Sequence, residues 1–373
     1  MNAIADLLTD AGLTGRGGAG FPTGVKVDLA HRHGADLIIN ACDGEIDATK
    51  DGWVIAHRLD AVLTGARLLT AGRIRVAAHR GSAALAILDE HGCDTVAVPH
   101  RYVASEESSL VSLAHGGQAR PLMRWSPVTA GARGHDGRRL RPTLVLNAET
   151  VWRAAQIADR GVRWFRSFGT RAEPGPRLVT VANGVGRPGV VEAEAGPRVG
   201  DLLGLAGGQT VAAQAFWLGG LGGGFLPAAD ASRTAWSRAG LAPHHVRMGA
   251  ATVRLIEADA DPWAQVAAAL DYAAAETAGQ CGPCMFGLPA IASTVADLRN
   301  ADDPGAASHL TRRVAMVRGR GACRFPDGVA DFVASALEVF GAPRRPESAP
   351  SELTQSELTQ RELTRTGAHP CPG

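Results

Sequence analysis

Apolar positions along the chain fall into short runs that read as separate elements. Residues 35–41 (ADLIINA) read as a short buried strand. Leu59, Val62, Leu63, Ala66 and Leu69 then recur at helical spacing. Ile74–Ala78 predicts a second strand, Ala83–His91 a helix and Thr95–Val98 a third strand. Residues 143–147 (TLVLN) predict another strand that ends in a polar residue. Strand alternating with helix predicts a parallel α/β layer. Ser105 is the expected N-cap of the helix that follows the third strand, with Glu106 and Glu107 in its first turn.

The texture changes near Arg177. RLVTVANGV, PGVVEAEAG and ATVRLIEAD are short β-like runs separated by Gly/Pro turns, which predicts a small β-rich unit. From Pro262 the period is helical (WAQVAAALDYAAAE). It resumes after a cysteine-bearing turn, through Ala290–Leu298 and Val329–Phe340. The direct repeat SELTQ-SELTQ-RELTR (351–365) follows a Pro-rich linker and reads as a flexible tail in which Cys371 is a free thiol.

A chain of 373 residues is too long for one ordinary core, so two or three domains are expected. The net charge of +1 gives no electrostatic case for nucleic acid or an anionic membrane. The N-terminal MNAIADLLTDAGLTGRGG lacks a basic region and a long apolar run, and the apolar stretch Leu202–Ala229 is interrupted by glycine, glutamine and proline. A cytoplasmic chain without direct membrane insertion is the expectation. Six cysteines in a chain this long do not make a disulfide scaffold, and the pair Cys281/Cys284 points to metal, cluster or redox chemistry. Of 38 Lys plus Arg, only Lys26 and Lys50 are lysine, which hints that those two sites want a compact ammonium.

Four stretches carry candidate binding chemistry. In GLTGRGGAGFPTGVK (12–26), Gly15, Gly17, Gly18 and Gly20 leave backbone N–H groups bare for an anion, with Arg16 and Lys26 as nearby charges. The spacing is neither Walker A nor Rossmann. INACDGEIDATKD (39–51) sets Asn40, Asp43 and Glu45 directly after a strand, where α/β folds hold ligands. RYVASEESSL (101–110) offers Tyr102 for stacking, and Glu106 and Glu107 as hydrogen-bond acceptors or simply as helix N-terminal acids. LVLNAET (144–150) places Asn147 at another strand end.

Together these stretches resemble the NADH-binding, FMN-carrying flavoprotein subunit of respiratory NADH:quinone oxidoreductase and its relatives in NAD-linked hydrogenases and formate dehydrogenases. The family's GRGGAGFPTG-x-K matches residues 15–26. Its NADEGEPGTFKD corresponds to NACDGEIDATKD, its YICGEE to residues 102–107, its NNVET to residues 146–150, and its SCGxCxPC to residues 277–284. Its last cysteine corresponds to Cys323. The resemblance covers residues 10–343.

It implies a Rossmann-like FMN/NADH domain over 1–172, a β-grasp-like domain over 173–256, a helical iron–sulfur domain over 257–343 and a tail over 344–373. It implies FMN on Gly15, Arg16, Gly17, Gly18, Lys26, Asn40, Asp43 and Asn147. NADH would meet Phe21, Glu45, Tyr102, Glu106 and Glu107. A 4Fe–4S cluster would lie on Cys281, Cys284 and Cys323, passing electrons to a ferredoxin-like or other Fe–S partner. This chain departs from the pattern at Cys42, Ile46, Asp47 and Ser105, and at Ala278, which stands where the first cluster cysteine is expected. Two other readings stay open on the residues: a non-catalytic nucleotide-binding or scaffold subunit, and a structural zinc site at the thiols.

Overall fold

The computed structural model describes residues 3–123, 127–300 and 305–344. The SELTQ repeat and Cys371 lie outside the described residues.

Four parallel strands form the first sheet, in the spatial order Thr95–Val98, Ile74–His79, Asp36–Asn40, Thr143–Asn147. The central strand reads DLIIN and is buried over its first four residues, which is why its apolar run is continuous instead of alternating. Helices Lys50–Leu69 and Ala148–Arg166 pack together on this sheet. The chain order reverses between Asp36–Asn40 and Thr143–Asn147, so a crevice opens past the ends of those two strands. Their register sets Asn40 opposite Asn147.

A second sheet of five strands follows, in the order Gly224–Pro227, Ala213–Leu218, Thr252–Glu257, Arg177–Val181, Gly189–Ala193. Only the pair Thr252–Glu257 with Arg177–Val181 is parallel. The mixed α/β architecture predicted from the pattern is therefore present. Two strands of this sheet, Ala213–Leu218 and Gly224–Pro227, lie in the glycine-rich stretch that had carried no strand expectation.

Four helices close the chain: Pro262–Ala275, Leu288–Asn300, Ala306–Val317 and Phe325–Phe340. Their apolar faces share one core with Trp217 and Phe225 of the second sheet. Trp217, Phe225 and Phe332 stack within 5.1–5.7 Å of one another, and the buried Ser335 hydroxyl accepts a 2.8 Å bond from the Phe225 N–H. The helices are thereby fixed to the sheet by an aromatic core and one satisfied polar contact. No helix among the described residues is long and apolar enough to cross a membrane.

The helix after the third strand starts one residue later than expected. Glu106, not Ser105, is its N-cap; the Glu106 carboxylate accepts from the N–H groups of Ser108 (2.8 Å) and Ser109 (3.0 Å). Ser105 ends a short 3₁₀ turn instead, its hydroxyl bonded to the Tyr102 carbonyl.

Candidate active site

A cavity of about 750 Å³ opens at the reversal point of the parallel sheet. One wall is the glycine loop between helices Ala3–Ala11 and Thr23–His33, through Gly17, Gly18 and Ala19. Gly18 sits at φ 107°, and a Cβ there would stand 3.1 Å from the Gly249 carbonyl oxygen, so the loop approaches the second sheet too closely for a side chain. The floor is made by the strand ends Asn40 and Asn147, with Asp43, Glu45, Lys50 and Asp51. Tyr102 and Glu106 form another side. Gly222, Arg247, Gly249 and Ala250 come from the second sheet and its loops, and Cys323 and Phe325 from the C-terminal helices.

Buried charge organises the floor. Lys50 is 1% exposed, and its Nζ lies 2.7 Å from Asp51 Oδ1, 3.0 Å from Asn147 Oδ1 and 3.3 Å from Glu149 Oε2. Burial alone would lower its pKa; Asp51 and Glu149 outweigh that and hold it above the ordinary lysine value. Asp51 is pushed up to about 7 by burial, with Asp43 adding to the rise and Lys50 opposing it. Glu149 moves the other way: burial would raise it, but Lys50 and Arg153 bring it below the usual carboxylate range. Asp43 caps the helix Lys50–Leu69, accepting from the N–H groups of Asp51 (2.8 Å) and Gly52 (2.7 Å). The Cys42 thiol also faces the cavity, and burial with the nearby Asp51 and Asp43 raises its pKa.

Nine residues expected from the sequence meet at this cavity: Gly17, Gly18, Asn40, Asp43, Glu45, Tyr102, Glu106, Asn147 and Cys323. Seven others do not line it: Cys281 and Cys284, in the cysteine turn, and Gly15, Arg16, Phe21, Lys26 and Glu107. Gly15 and Phe21 close the base of the loop through the Gly15 N–H to Phe21 carbonyl bond (2.9 Å), and the Phe21 ring is half exposed. Arg16 is buried, with its guanidinium bonded to the carbonyls of Pro174 and Pro176, both at 3.2 Å. Burial and the neighbouring Arg177 lower its pKa to about 9. Lys26 is held by Glu107 and by the Val145 carbonyl (3.2 Å).

The cations on the cavity wall are instead Lys50, Arg247 and Arg324. Arg247 and Arg324 had no sequence signal beyond their place in glycine-containing turns.

Glu45 accepts four hydrogen bonds, from Ile46 N–H, Leu221 N–H, Gly222 N–H and Tyr102 Oη. Its carboxylate is a structural junction whose pKa burial raises.

Beyond Tyr102 lies the cysteine turn. Cys281 and Cys323 both lie near enough to Cys284 to raise its pKa. Burial raises Cys284, and burial raises Cys323 to about 11. Among the described residues no three His, Cys, Asp or Glu side chains converge on a single-ion site. Ala278 is 3% exposed in the apolar core.

The family described as the Nuo51 FMN-binding domain matches residues 8–156, and the NADH-ubiquinone oxidoreductase-F iron-sulfur binding region matches residues 264–344. Over both stretches the chain is similar to the NADH:quinone oxidoreductase flavoproteins. The two matches fall along the chain in the order of the cavity's glycine loop and the cysteine turn. The chain is 27% identical to the corresponding NADH-quinone oxidoreductase subunit of Escherichia coli, over 90% of this chain and 82% of that protein. It is 25% identical to the corresponding protein of Rhizobium meliloti, over 91% and 87%. Identity is 28% to the mitochondrial NADH dehydrogenase [ubiquinone] flavoprotein 1 of Dictyostelium discoideum, where the match spans 74% of this chain and 64% of that protein. The crystal structure of an NAD+-reducing [NiFe]-hydrogenase in the H2-reduced state superposes with a TM-score of 0.81 at 26% identity, covering 99% of this chain and 67% of that one.

The residues present suit FMN. The volume is in the range of cofactor cavities. The glycine cradle would be filled by any Cβ, and amide, carboxylate and ammonium groups alternate with apolar walls. For the cluster, three sulfurs supply soft iron ligands and the fourth expected position is a methyl group.

Proposed function

We propose that this chain oxidises NADH in the cavity at the strand ends and hands single electrons to a partner iron–sulfur protein. Bound FMN would supply the chemistry that converts a two-electron hydride donor into a one-electron source. One observation carries the reading: the same cavity is walled by the glycine loop and by Cys323, the later cysteine expected to act with the Cys281/Cys284 turn. A group held by Cys281, Cys284 and Cys323 would therefore sit beside the flavin.

The chain's own residues have separable tasks. Gly17 and Gly18 present bare backbone to the flavin phosphate. Asn40 and Asn147 offer amide groups to its polar chain, and Lys50 fixes Asn147 in place. Tyr102, packed on Phe325 with ring centroids 4.5 Å apart, walls the flavin side from the thiols. Glu106 faces the cavity at the NADH side, and Arg247 and Arg324, held by Asp331 and Asp327, are guanidinium donors that a pyrophosphate would reach.

The domain reading extends the same proposal. Residues 1–172 form the Rossmann-like flavin unit, 173–256 a β-grasp-like unit, 257–343 a helical iron–sulfur unit and 344–373 a tail. The electron acceptor is ferredoxin-like. Air-free purification followed by flavin, iron, sulfide and zinc assays tests the reading. Flavin and iron together, with NADH bleaching of the flavin absorbance, support it; zinc at the thiols, or a colourless chain that takes up no FMN, overturns it.

A further inference from the structure

Methionine and phenylalanine stand exposed where the cysteine turn meets solvent. Met285 is 51% and Phe286 69% exposed, directly after Cys284 in the π-helical turn Pro283–Gly287; Met316 is 57% exposed at the end of helix Ala306–Val317. These segments touch. A Cβ on Gly287 would stand 2.2 Å from Val317 Cγ1, so glycine is required there, and the neighbours Phe286 and Met316 flank one contact. Large flexible or aromatic side chains held out of a core are what a docking surface uses.

The segment that carries Met316 is basic along its sequence. Between Ala306 and Arg324 the chain has five arginines and no acid, in a protein whose net charge is only +1. Arg318 and Arg324 are paired, with Asp331 and Asp327. Arg312, Arg313 and Arg320 are exposed and have no ion-pair partner among the described residues. The run ends one residue beyond Cys323.

We propose that this surface docks an acidic one-electron carrier protein, whose carboxylate rim meets Arg312, Arg313 and Arg320 and whose apolar centre meets Met285, Phe286 and Met316. The inference rests on the electron-transfer reading above and adds to it the place and the charge of the acceptor. Guanidinium groups that are unpaired in the free protein speed encounter with an opposite charge, and the apolar centre sets the lifetime of the complex. Met285 directly follows Cys284 in the turn, so this surface adjoins the thiols.

The test uses the air-free purified protein with an acidic plant-type ferredoxin as probe and ferricyanide as a small acceptor. Binding of the oxidised ferredoxin is measured by calorimetry, and NADH-driven reduction of each acceptor is followed in parallel. Three results are expected. Ferredoxin binding weakens steeply with salt. The triple charge reversal R312E/R313E/R320E lowers the rate of ferredoxin reduction by about ten-fold or more at low salt while ferricyanide turnover stays at the wild-type value. Phe286→Ser weakens ferredoxin binding by about ten-fold with its salt dependence kept.

If ferredoxin binds and is reduced equally by all three proteins, or is not bound at all, the docking surface is wrong. It is also wrong if Phe286→Ser instead dissolves a self-associated dimer of the wild type. Loss of ferricyanide turnover in the wild-type protein would instead sink the flavoprotein reading.

Discussion

The Tyr102 hydroxyl donates to Glu45 Oε2 at 2.6 Å, joining the loop after the third strand to the carboxylate that holds the Leu221–Gly222 turn of the second sheet. The same residue's N–H donates to Glu276 at 2.9 Å, two residues before Ala278. Tyr102 therefore touches every part that the proposed electron path needs: cavity floor, second sheet and cysteine turn.

Replacing Tyr102 with Phe keeps the ring contact with Phe325 and deletes only the hydroxyl. Glu45 then loses its one side-chain donor in a half-buried site. A cost of about 1–3 kcal/mol is expected, read as a lower urea midpoint with an unchanged slope. An unchanged midpoint would mean that the backbone donors alone satisfy Glu45.

Arg16 and Lys50 are expected to separate structure from binding. Arg16→Met removes the tie to the Pro174 and Pro176 carbonyls, so denaturation should come earlier while FMN affinity of the folded protein changes little. Lys50→Met leaves Asp51 and Glu149 without their shared cation at the cavity floor, a loss of about 3–5 kcal/mol together with weakened FMN uptake. Flavin fluorescence titration beside urea melts decides this. A large loss of affinity in Arg16→Met at unchanged stability would return Arg16 to the phosphate.

The parallel sheet was legible because Asp36–Asn40 and Thr143–Asn147 are buried over four consecutive residues and so carry short apolar runs; Thr95–Val98 and Thr143–Asn147 have their expected bounds. Helix Ala148–Arg166 was hidden. It buries Arg153 and Glu149 among its apolar residues and breaks at Gly161 with φ 84°, which destroys a simple period. In the site, the glycine loop and strand ends could be found because position along a strand dictates them. Arg16 and Lys26 were misplaced because charge does not say which way a side chain turns, and here carbonyls and Glu107 claim them. Arg247 and Gly249 arrive only when the second sheet folds back over the loop, a relation that local sequence does not carry.

The pH dependence of stability follows from Asp51. Its folded pKa of about 7 lies above the unfolded value of about 3.9. The folded state therefore binds the extra proton between those values, and stability should fall as pH rises from about 4 to about 7, by at most about 1.4 kcal/mol per pH unit from this group. Burial raises Asp43 and Glu45 as well, so they act in the same direction. Glu149, lowered, contributes stability that is lost only on the acid side of this window. Asp51→Asn should flatten the slope in urea melts between pH 5 and 7, as distinct from lowering the whole curve; an unchanged slope would assign the titration elsewhere.

Gly18→Val tests the cradle itself. The residue combines positive φ with a Cβ contact of 3.1 Å to the Gly249 carbonyl, so valine is strained and also fills the cavity wall. FMN affinity should drop by more than about ten-fold, since the backbone can no longer approach the anion. Gly34→Ala, at a helix C-cap with open space around it, carries a similar backbone strain at φ 56° without facing the cavity. It should lower stability but leave flavin binding intact, and equal loss in both variants would mean that strain alone, not the cradle, was measured.

Ala278 decides how the thiols are used. Its methyl is buried in the apolar core beside Cys284, at the position where a fourth sulfur would complete the set with Cys281 and Cys323. Ala278→Cys adds one atom to a packed region, which costs about 1–3 kcal/mol in the metal-free chain. With iron and sulfide supplied under exclusion of air, the added thiolate should repay that by closing the open corner. Iron per chain should rise from about three to about four, and the visible absorbance should survive exposure to oxygen for longer. Serine at the same position controls for volume without a soft ligand and should give the destabilisation but not the extra iron. Identical iron content and oxygen sensitivity in wild type, Ala278→Ser and Ala278→Cys would show that position 278 does not face the group held by the three cysteines.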